Sequence, residues 1–450
     1  MDTRFHLVSL GCAKNTVDSE SMAELLAREG YTPSPTAEGA QVLIVNTCGF
    51  IGPAKQESLD VLRELAGIKQ PGQLLIAAGC LTQRYGAEIV RQVPGIDGIL
   101  GTRRWMDIVN VIRELRADGP PAPLYHLPAS PTVGTDERQV LRAARQGGSA
   151  YLKIADGCRR PCAFCAIPLI KGTAVSRPPE RILSEARELR DQGVRELILI
   201  AQDTTDYGHD LGLKDGLATL LEQLVQEVPD INWIRLLYAY PGYVTPRLIE
   251  VMAKNQQILP YLDMPLQHAD IGVLRAMRRP ANLEWVQRTL ATMRQSMPEL
   301  ALRTTFIVGY PGETEAAFDH LLEFVRSTRF DRVGAFTFSF EEGTESEPLG
   351  DPVPQPLKEE RRARLMELQQ EISLEINQGF IGRELKVLIE GQGDGLSFGR
   401  SYRDAPEIDG LVILEGEIQS GEMVTAHITG AMPYDLTGNT ISSSDQLIRI

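Results

Sequence analysis

The chain has 450 residues, of which 43% are hydrophobic and 24% charged, and carries a formal net charge of −14. Length alone implies about three domains, and the composition excludes a disordered or fibrous protein. The acidic balance argues against a surface that grips phosphates everywhere and suits a basic partner.

The opening stretch MDTRFHLVSLGC enters an apolar, strand-like run with no basic region or cleavage site before it. No apolar run reaches the roughly 18 to 20 residues that a membrane-spanning helix needs. A cytoplasmic protein without a signal peptide is therefore expected. In that compartment the six cysteines are metal ligands or catalysts rather than disulfides.

Residues 1–118 alternate the apolar runs FHLVSL, QVLIVN, QLLIAA and GIDGIL with helical patterns. In SESMAELLAREG, Met22, Leu25 and Leu26 share one helix face and Gly30 stands where a C-cap belongs. This βα alternation predicts a parallel sheet with covering helices. Residues 119–140 contain Pro120, Pro121, Pro123, Pro128 and Pro131 and read as a linker. From 141 to 378 six further runs, AYLKIA, ELILIAQ, WIRLLYAY, YLDMPLQ, RTTFIVGY and RVGAFTFSF, alternate with helices such as PPERILSEARELRDQG. Six βα units predict a parallel barrel two units short of eight, open at one side, which suits a macromolecular substrate. The amphipathic stretch EERRARLMELQQEISLEINQ closes that region, and its charged start reads as a solvated face. Residues 379–450 change to glycine-rich β segments, ELKVLIEG, LVILEGEI and MVTAHITG, as in a small antiparallel barrel. The fold class is α/β with this β-barrel appended.

The cysteines fall into two sets of three. Cys158, Cys162 and Cys165, in DGCRRPCAFC, follow the first strand of the middle region, on the face where barrel enzymes place their chemistry. Zinc prefers four closed ligands, which this window lacks unless a distant His completes them, so the spacing favours an iron–sulfur cluster. Cys12, Cys48 and Cys80 are far apart in sequence, yet each directly follows a predicted strand. The carboxyl ends of parallel strands lie along one edge, so these three could meet at a second metal site; buried inert thiols are the alternative. Either trio would leave one iron of a four-iron cluster without a protein ligand.

CRRPCAFC, with Phe164 before its last cysteine, resembles the radical S-adenosylmethionine signature. The resemblance extends along nearly the whole chain and is closest to the methylthiotransferases, through SLGCAKNTVDSE, VNTCGF and AAGC. It implies two 4Fe-4S clusters, one on Cys158, Cys162 and Cys165 and one on Cys12, Cys48 and Cys80, and a C-terminal TRAM domain that handles substrate. S-adenosylmethionine would serve as methyl donor and as radical source, completing the open iron of the first cluster. A radical is needed because an unactivated carbon–hydrogen bond is too weak an acid for His or Glu to deprotonate. The resemblance also implies a need for an electron donor and a sulfur source.

Within that family, LIAQDTTDYG, LLYAYP and DMPLQHAD look like the branch that modifies the β-carbon of an aspartate in small-subunit ribosomal protein S-twelve, free or assembled. The alternative is the branch that modifies an adenosine in tRNA. Charge separates them: residues 379–450 hold five basic and eleven acidic side chains, a net of −6, favouring a basic protein over direct RNA binding. A merely solvated acidic face is the plain alternative. An iron–sulfur electron carrier or RNA-binding module is a reading from another class, and no membrane partner is expected.

Gln202 and Asp203 end the second barrel strand and could hydrogen-bond the amino group or ribose of S-adenosylmethionine, with a helix N-cap role open for Asp203. Gly309 and Glu313, in IVGYPGETE, could form part of the nucleoside pocket. His268 reads more simply as a structural histidine. Lys171-Gly172 and Val175-Ser176-Arg177 stand where the family pattern has Arg-Gly and Arg-Ser-Arg, and Ala13 stands where it has proline.

Overall fold

The computed structural model describes residues 3–117 and 123–441. Its first body is a six-stranded parallel sheet in the order Tyr31–Pro33, Thr3–Ser9, Val42–Thr47, Leu74–Gly79, Gly98–Gly101, Leu124–His126. Val42–Thr47 is buried along its whole length because helices cover both faces, which is why it reads as an unbroken apolar run. The helix Ala13–Arg28 buries Val17, Met22, Leu25 and Leu26. Gly30, at φ +83°, follows its C-cap as expected.

The two edge strands are absent from the sequence expectation. Tyr31–Pro33 is too short to show a period, and Leu124–His126 lies inside the proline-rich stretch read as a linker. Edge strands pair on one side only, so they tolerate the proline and polar residues that a central strand excludes.

The second body carries six parallel strands in chain order: Ser149–Lys153, Glu196–Ile200, Trp233–Leu236, Tyr261–Asp263, Ala301–Val308 and Arg332–Thr337. A single bridge, Ile234 to Ile258, links the third strand to the approach of the fourth. The strand Ala143–Gln146 adds an antiparallel edge beside the first, and the sixth pairs only with the fifth, so the wall stays open there. Alternation sorts the strand residues: Leu152, Leu199 and Leu262 pack under the outer helices, whereas Tyr151, Ile198, Trp233 and Tyr261 fill the interior. That interior is not self-sufficient. The first body contributes Ala13 and Val17 to it, and the third contributes Leu388 and Ala405.

The third body follows the helix Gln355–Gln378 and is a closed barrel in the order Glu384–Gly393, Leu396–Arg400, Val412–Glu415, Leu436–Thr440, Met423–Ala431. Its pairings are antiparallel as expected, except that Val412–Glu415 runs parallel to Leu436–Thr440. Buried ion pairs clasp it to the second body. Glu196 accepts from Arg235 Nε at 2.7 Å and Arg400 Nη2 at 2.6 Å. Arg332 binds Asp404 at 2.6 Å, and Arg403 binds Asp331 at 2.9 Å. Arg400 and Arg403 are thereby withdrawn from the surface. Asp404 and Asp409 are withdrawn with them, so the face the barrel offers to solvent stays acidic, with Asp394, Glu407, Glu415, Glu417 and Glu422 all exposed. Among the described residues no helix is long and apolar enough to cross a membrane.

Candidate active site

Three neighbouring strands of the first sheet end in cysteines, so their carboxyl edge brings Cys12, Cys48 and Cys80 to one place. Cys12 is the N-cap of helix Ala13–Arg28 and Cys80 is the first residue of helix Cys80–Gln92. The loops meet so closely that only glycine fits between them. A Cβ on Gly11 would lie 2.8 Å from Cys48 Cβ, and one on Gly49 would lie 2.5 Å from Leu81 Cα. Asn15 ties the strand ends together by donating to the Leu10 carbonyl at 2.6 Å and the Asn46 carbonyl at 3.1 Å.

The second trio lies in the loop that follows the first barrel strand. Cys158 N–H donates to the Gly172 carbonyl at 3.0 Å, and Ala163 N–H donates to the Met277 carbonyl at 2.9 Å. Arg160 anchors the loop to Asp203 at 2.5 Å and stacks 3.5 Å above the Tyr243 ring. Arg279 Nη1 and the Tyr240 hydroxyl approach Cys162 Sγ at 3.5 and 3.7 Å.

All six cysteines line one cavity of about 420 Å³ at the boundary between the first two bodies. Lys14, Asn15, Phe50, Phe164, Lys171, Gln202, Tyr238, Gln267 and Phe336 complete it. The donor set fits iron–sulfur clusters: two groups of three thiols, all free, facing a shared space. Among the described residues no three or more His, Cys, Asp or Glu side chains are arranged to hold a single ion, the two cysteine trios included. Buried acceptors Oδ1 of Asn15, Oε1 of Gln202 and Oε1 of Gln267 have no hydrogen-bond partner among the described residues, as in a site that receives a polar ligand. Burial pushes the thiol of Cys158 up to about 11 and that of Cys80 up to about 12, and raises Cys48 and Cys165 as well. Binding of metal to these thiols would therefore expel protons.

A buried ionic cluster lies beside the cavity. Asp18 accepts from Lys153 at 2.5 Å, Arg142 at 2.5 Å and Lys171 at 2.9 Å. Lys153 also meets Asp156 at 3.2 Å and Lys171 meets it at 3.3 Å. These cations hold the Asp18 carboxyl well below the usual carboxylate range, against the opposing pull of burial. Three cations against two carboxylates leave the cluster one positive charge in excess, close to Cys80.

The structure separates the residues singled out in the sequence. Phe164 and Gln202 line the cavity, and Gln202 Nε2 donates to Asp156 at 3.2 Å. Asp203 precedes the turn Thr204–Asp206 without capping it; its carboxylate is taken by Arg160 and Thr205. Gly309 and Glu313 are not among the cavity-lining residues. Glu313 accepts from Gly309 N–H at 2.9 Å and from Arg361 at 2.8 Å, and lies 3.3 Å from His268 Nε2. This is a buried knot, and it corrects one expectation: the EERRARL helix start is not wholly solvated, since Arg361 is buried. Lys171 is explained by its place between Asp18 and Asp156, where a compact ammonium can meet two carboxylates. Val175 pairs with Asp156 in a short antiparallel bridge, and Arg177 is bound to Glu185. Ala13 occupies the first turn of its helix, where proline is also tolerated.

Lys14, Tyr238, Gln267 and Arg279 were not singled out from sequence. Lys14 was legible in principle, two residues from Cys12. Tyr238 and Gln267 have φ of +64° and +74°, a backbone state that residue type does not announce.

Comparison with known proteins agrees with this anatomy. A model described as uncharacterized protein family UPF0004 matches residues 4–101, the radical SAM superfamily model matches 152–325, and the TRAM domain model matches 381–441. A protein of Chloroflexus aurantiacus named ribosomal protein uS12 methylthiotransferase RimO is 50% identical, covering 98% of this chain and 100% of the relative. One of the same name from Roseiflexus sp. is 48% identical, covering 98% of each chain. A third, from Myxococcus xanthus, is 44% identical over 98% of this chain and 92% of its own. Among solved structures, the radical S-adenosylmethionine methyltransferase TsrM of Kitasatospora setae, described with cobalamin and a 4Fe-4S cluster bound, has a TM-score of 0.60 at 14% identity, covering 88% of this chain and 81% of that one. That likeness speaks to fold, whereas the near full-length identities decide the family. With six cysteines gathered in one cavity and relatives matched from end to end, this chain belongs to the RimO family of radical S-adenosylmethionine methylthiotransferases.

Proposed function

We propose that this chain transfers a methylthio group to the β-carbon of an aspartate in ribosomal protein uS12, acting in the cytoplasm with two 4Fe-4S clusters. The observation that carries the reading is the convergence of both cysteine trios on one cavity. When bound, a cluster on Cys158, Cys162 and Cys165 with S-adenosylmethionine supplies radical chemistry, and a cluster on Cys12, Cys48 and Cys80 supplies a place for sulfur.

The chain's own residues do the rest. Arg279 and Tyr240 bring a cation and a hydroxyl to Cys162, offsetting thiolate charge. Gln202 Oε1 and Gln267 Oε1 offer acceptors to ammonium, hydroxyl or amide donors of incoming ligands. Phe164 packs against the apolar cluster that contains Val273, Met277, Tyr310 and Phe338, a wall that helps keep water from one side of the cavity. The acidic barrel face supports docking of a basic protein, because phosphate-bearing RNA would meet like charge there.

Mass spectrometry of uS12 from cells with and without this gene tests the reading. We expect the methylthio mass to vanish from uS12 on deletion. An unchanged uS12 with altered tRNA would overturn it. Replacing Cys12, Cys48 and Cys80 together by alanine should abolish transfer and lower bound iron by about half; retained transfer would refute the second cluster.

A further inference from the structure

The cavity holds several cations, and among the described residues all but one have a charged or backbone acceptor close by; Lys14 instead has Tyr238 as its hydrogen-bond and ring partner. Arg160 is taken by Asp203 at 2.5 Å, and Lys171 by Asp18 at 2.9 Å. Arg279 donates to the Pro265 carbonyl and reaches Cys162. Lys14 differs. Its ammonium lies 3.1 Å from the centroid of the Tyr238 ring, and among the described residues no carboxylate stands within ion-pair distance of it. The carboxylate of Asp263 nearby is committed to Arg303 at 2.9 Å and to the Tyr238 N–H at 3.0 Å.

The platform under Lys14 is built. Tyr238 is held at φ +64° by that bond to Asp263 and by its carbonyl, which accepts from Thr204 N–H at 3.1 Å. A bulky residue in this backbone state costs free energy and persists only where its surroundings enforce it. Gln267, at φ +74°, lines the same cavity with a buried oxygen that no protein donor reaches. An ammonium that rests on a tyrosine and is ion-paired to no carboxylate, and a buried acceptor on a strained backbone, describe a receptor for an anionic group carrying an N–H nearby. An aspartate within a peptide has both.

We propose that Lys14 receives the side-chain carboxylate of the substrate aspartate and selects aspartate over asparagine, which rests on the reading that the substrate is a protein aspartate. A charge-assisted bond to that carboxylate fixes the β-carbon one bond away, between the two trios. A neutral amide leaves the ammonium without a counter-charge in a partly dry cavity, so discrimination follows from the unmatched cation itself.

The test uses reconstituted holoenzyme, its K14M and K14R variants, and two peptides spanning the modified site of uS12, one with Asp and one with Asn there. Binding is read by fluorescence anisotropy and turnover by KM and kcat, with iron per chain measured alongside. In K14M the Asp peptide should bind roughly ten- to a hundredfold more weakly. The Asn peptide should be little changed, and K14R should restore most of the preference. An Asp-to-Asn ratio in K14M equal to the wild-type ratio would overturn the proposal. So would loss of iron with the ratio preserved, which would assign the lysine to the cluster instead. Wild-type enzyme that leaves the Asp peptide unmodified would sink the substrate reading itself, a different failure from an unaltered ratio in K14M.

Discussion

Replacing Glu196 by glutamine should release the C-terminal barrel from the radical-SAM body while leaving both folded. Glu196 is fully buried and accepts from Arg235 Nε at 2.7 Å, Arg400 Nη2 at 2.6 Å and Ser149 Oγ at 2.8 Å. Burial alone would raise its carboxyl, but Arg400 and Arg235 outweigh it and pull the group from 4.5 down to about 2. A displacement of that size corresponds to about 3 kcal/mol. It agrees with the 3–5 kcal/mol typical of breaking a buried pair from one side. Arg235 and Arg400 would remain buried, with backbone carbonyls and the half-exposed Glu390 as their main partners. At about 1.4 kcal/mol per tenfold, opening of the interface should rise roughly a hundred- to a few thousandfold. Hydrogen exchange of amides in residues 384–440 and proteolysis near Gly379 measure it. Unchanged exchange there, or acceleration spread equally over the first sheet, would refute the reasoning. The sign with pH follows from the depressed carboxyl. The stabilisation is present above about 4.5 and lost as pH falls toward about 2, so this acid-dependent loosening should be missing from E196Q.

Gly11→Ala should place a methyl 2.8 Å from Cys48 Cβ at φ +91°, costing about 1–3 kcal/mol and displacing a ligand loop. Iron per chain should fall toward half in that variant, whereas the same change at Gly30, with nothing within 4 Å, should retain it. Glu415→Lys with Glu417→Lys on the exposed barrel face should slow association with uS12 by roughly tenfold at low salt, with the difference shrinking as salt rises. Stopped-flow association at several ionic strengths reads this, and a salt-independent or absent effect would count against docking by that face.

Much of this site was legible in the sequence because period and strand ends carry it. QVLIVNTC and QLLIAAGC are buried on both faces, so their apolar runs are unbroken and the cysteine after each falls on a known edge. The glycine beside each of those cysteines was a further signal, since crowded loops leave no room for a Cβ. The buried partner of Glu313 was not legible, because a Pro-Gly turn before an acidic helix start looks alike whether it faces a ligand or a buried arginine. Arg361, the partner that decides the matter, lies 48 residues from Glu313. Leu124–His126 was hidden because an edge strand needs neither apolar alternation nor freedom from proline. Lys14 shows the same limit, since what distinguishes it is that the nearby carboxylate of Asp263 is committed to Arg303, and a partner's commitment has no letter in the sequence.

Asp18 stands six positions after Cys12 on one stiff helix, and Lys171 ends the short helix that begins just beyond Cys165. Their contact at 2.9 Å thus acts as a spacer rod with a cysteine ligand near each end. This rod ties the loop carrying the second trio to the helix capped by Cys12, in addition to the ties made by the sheet edge and the barrel wall. Grafting the first body of one relative onto the second body of another should therefore succeed only when both halves of the rod travel together.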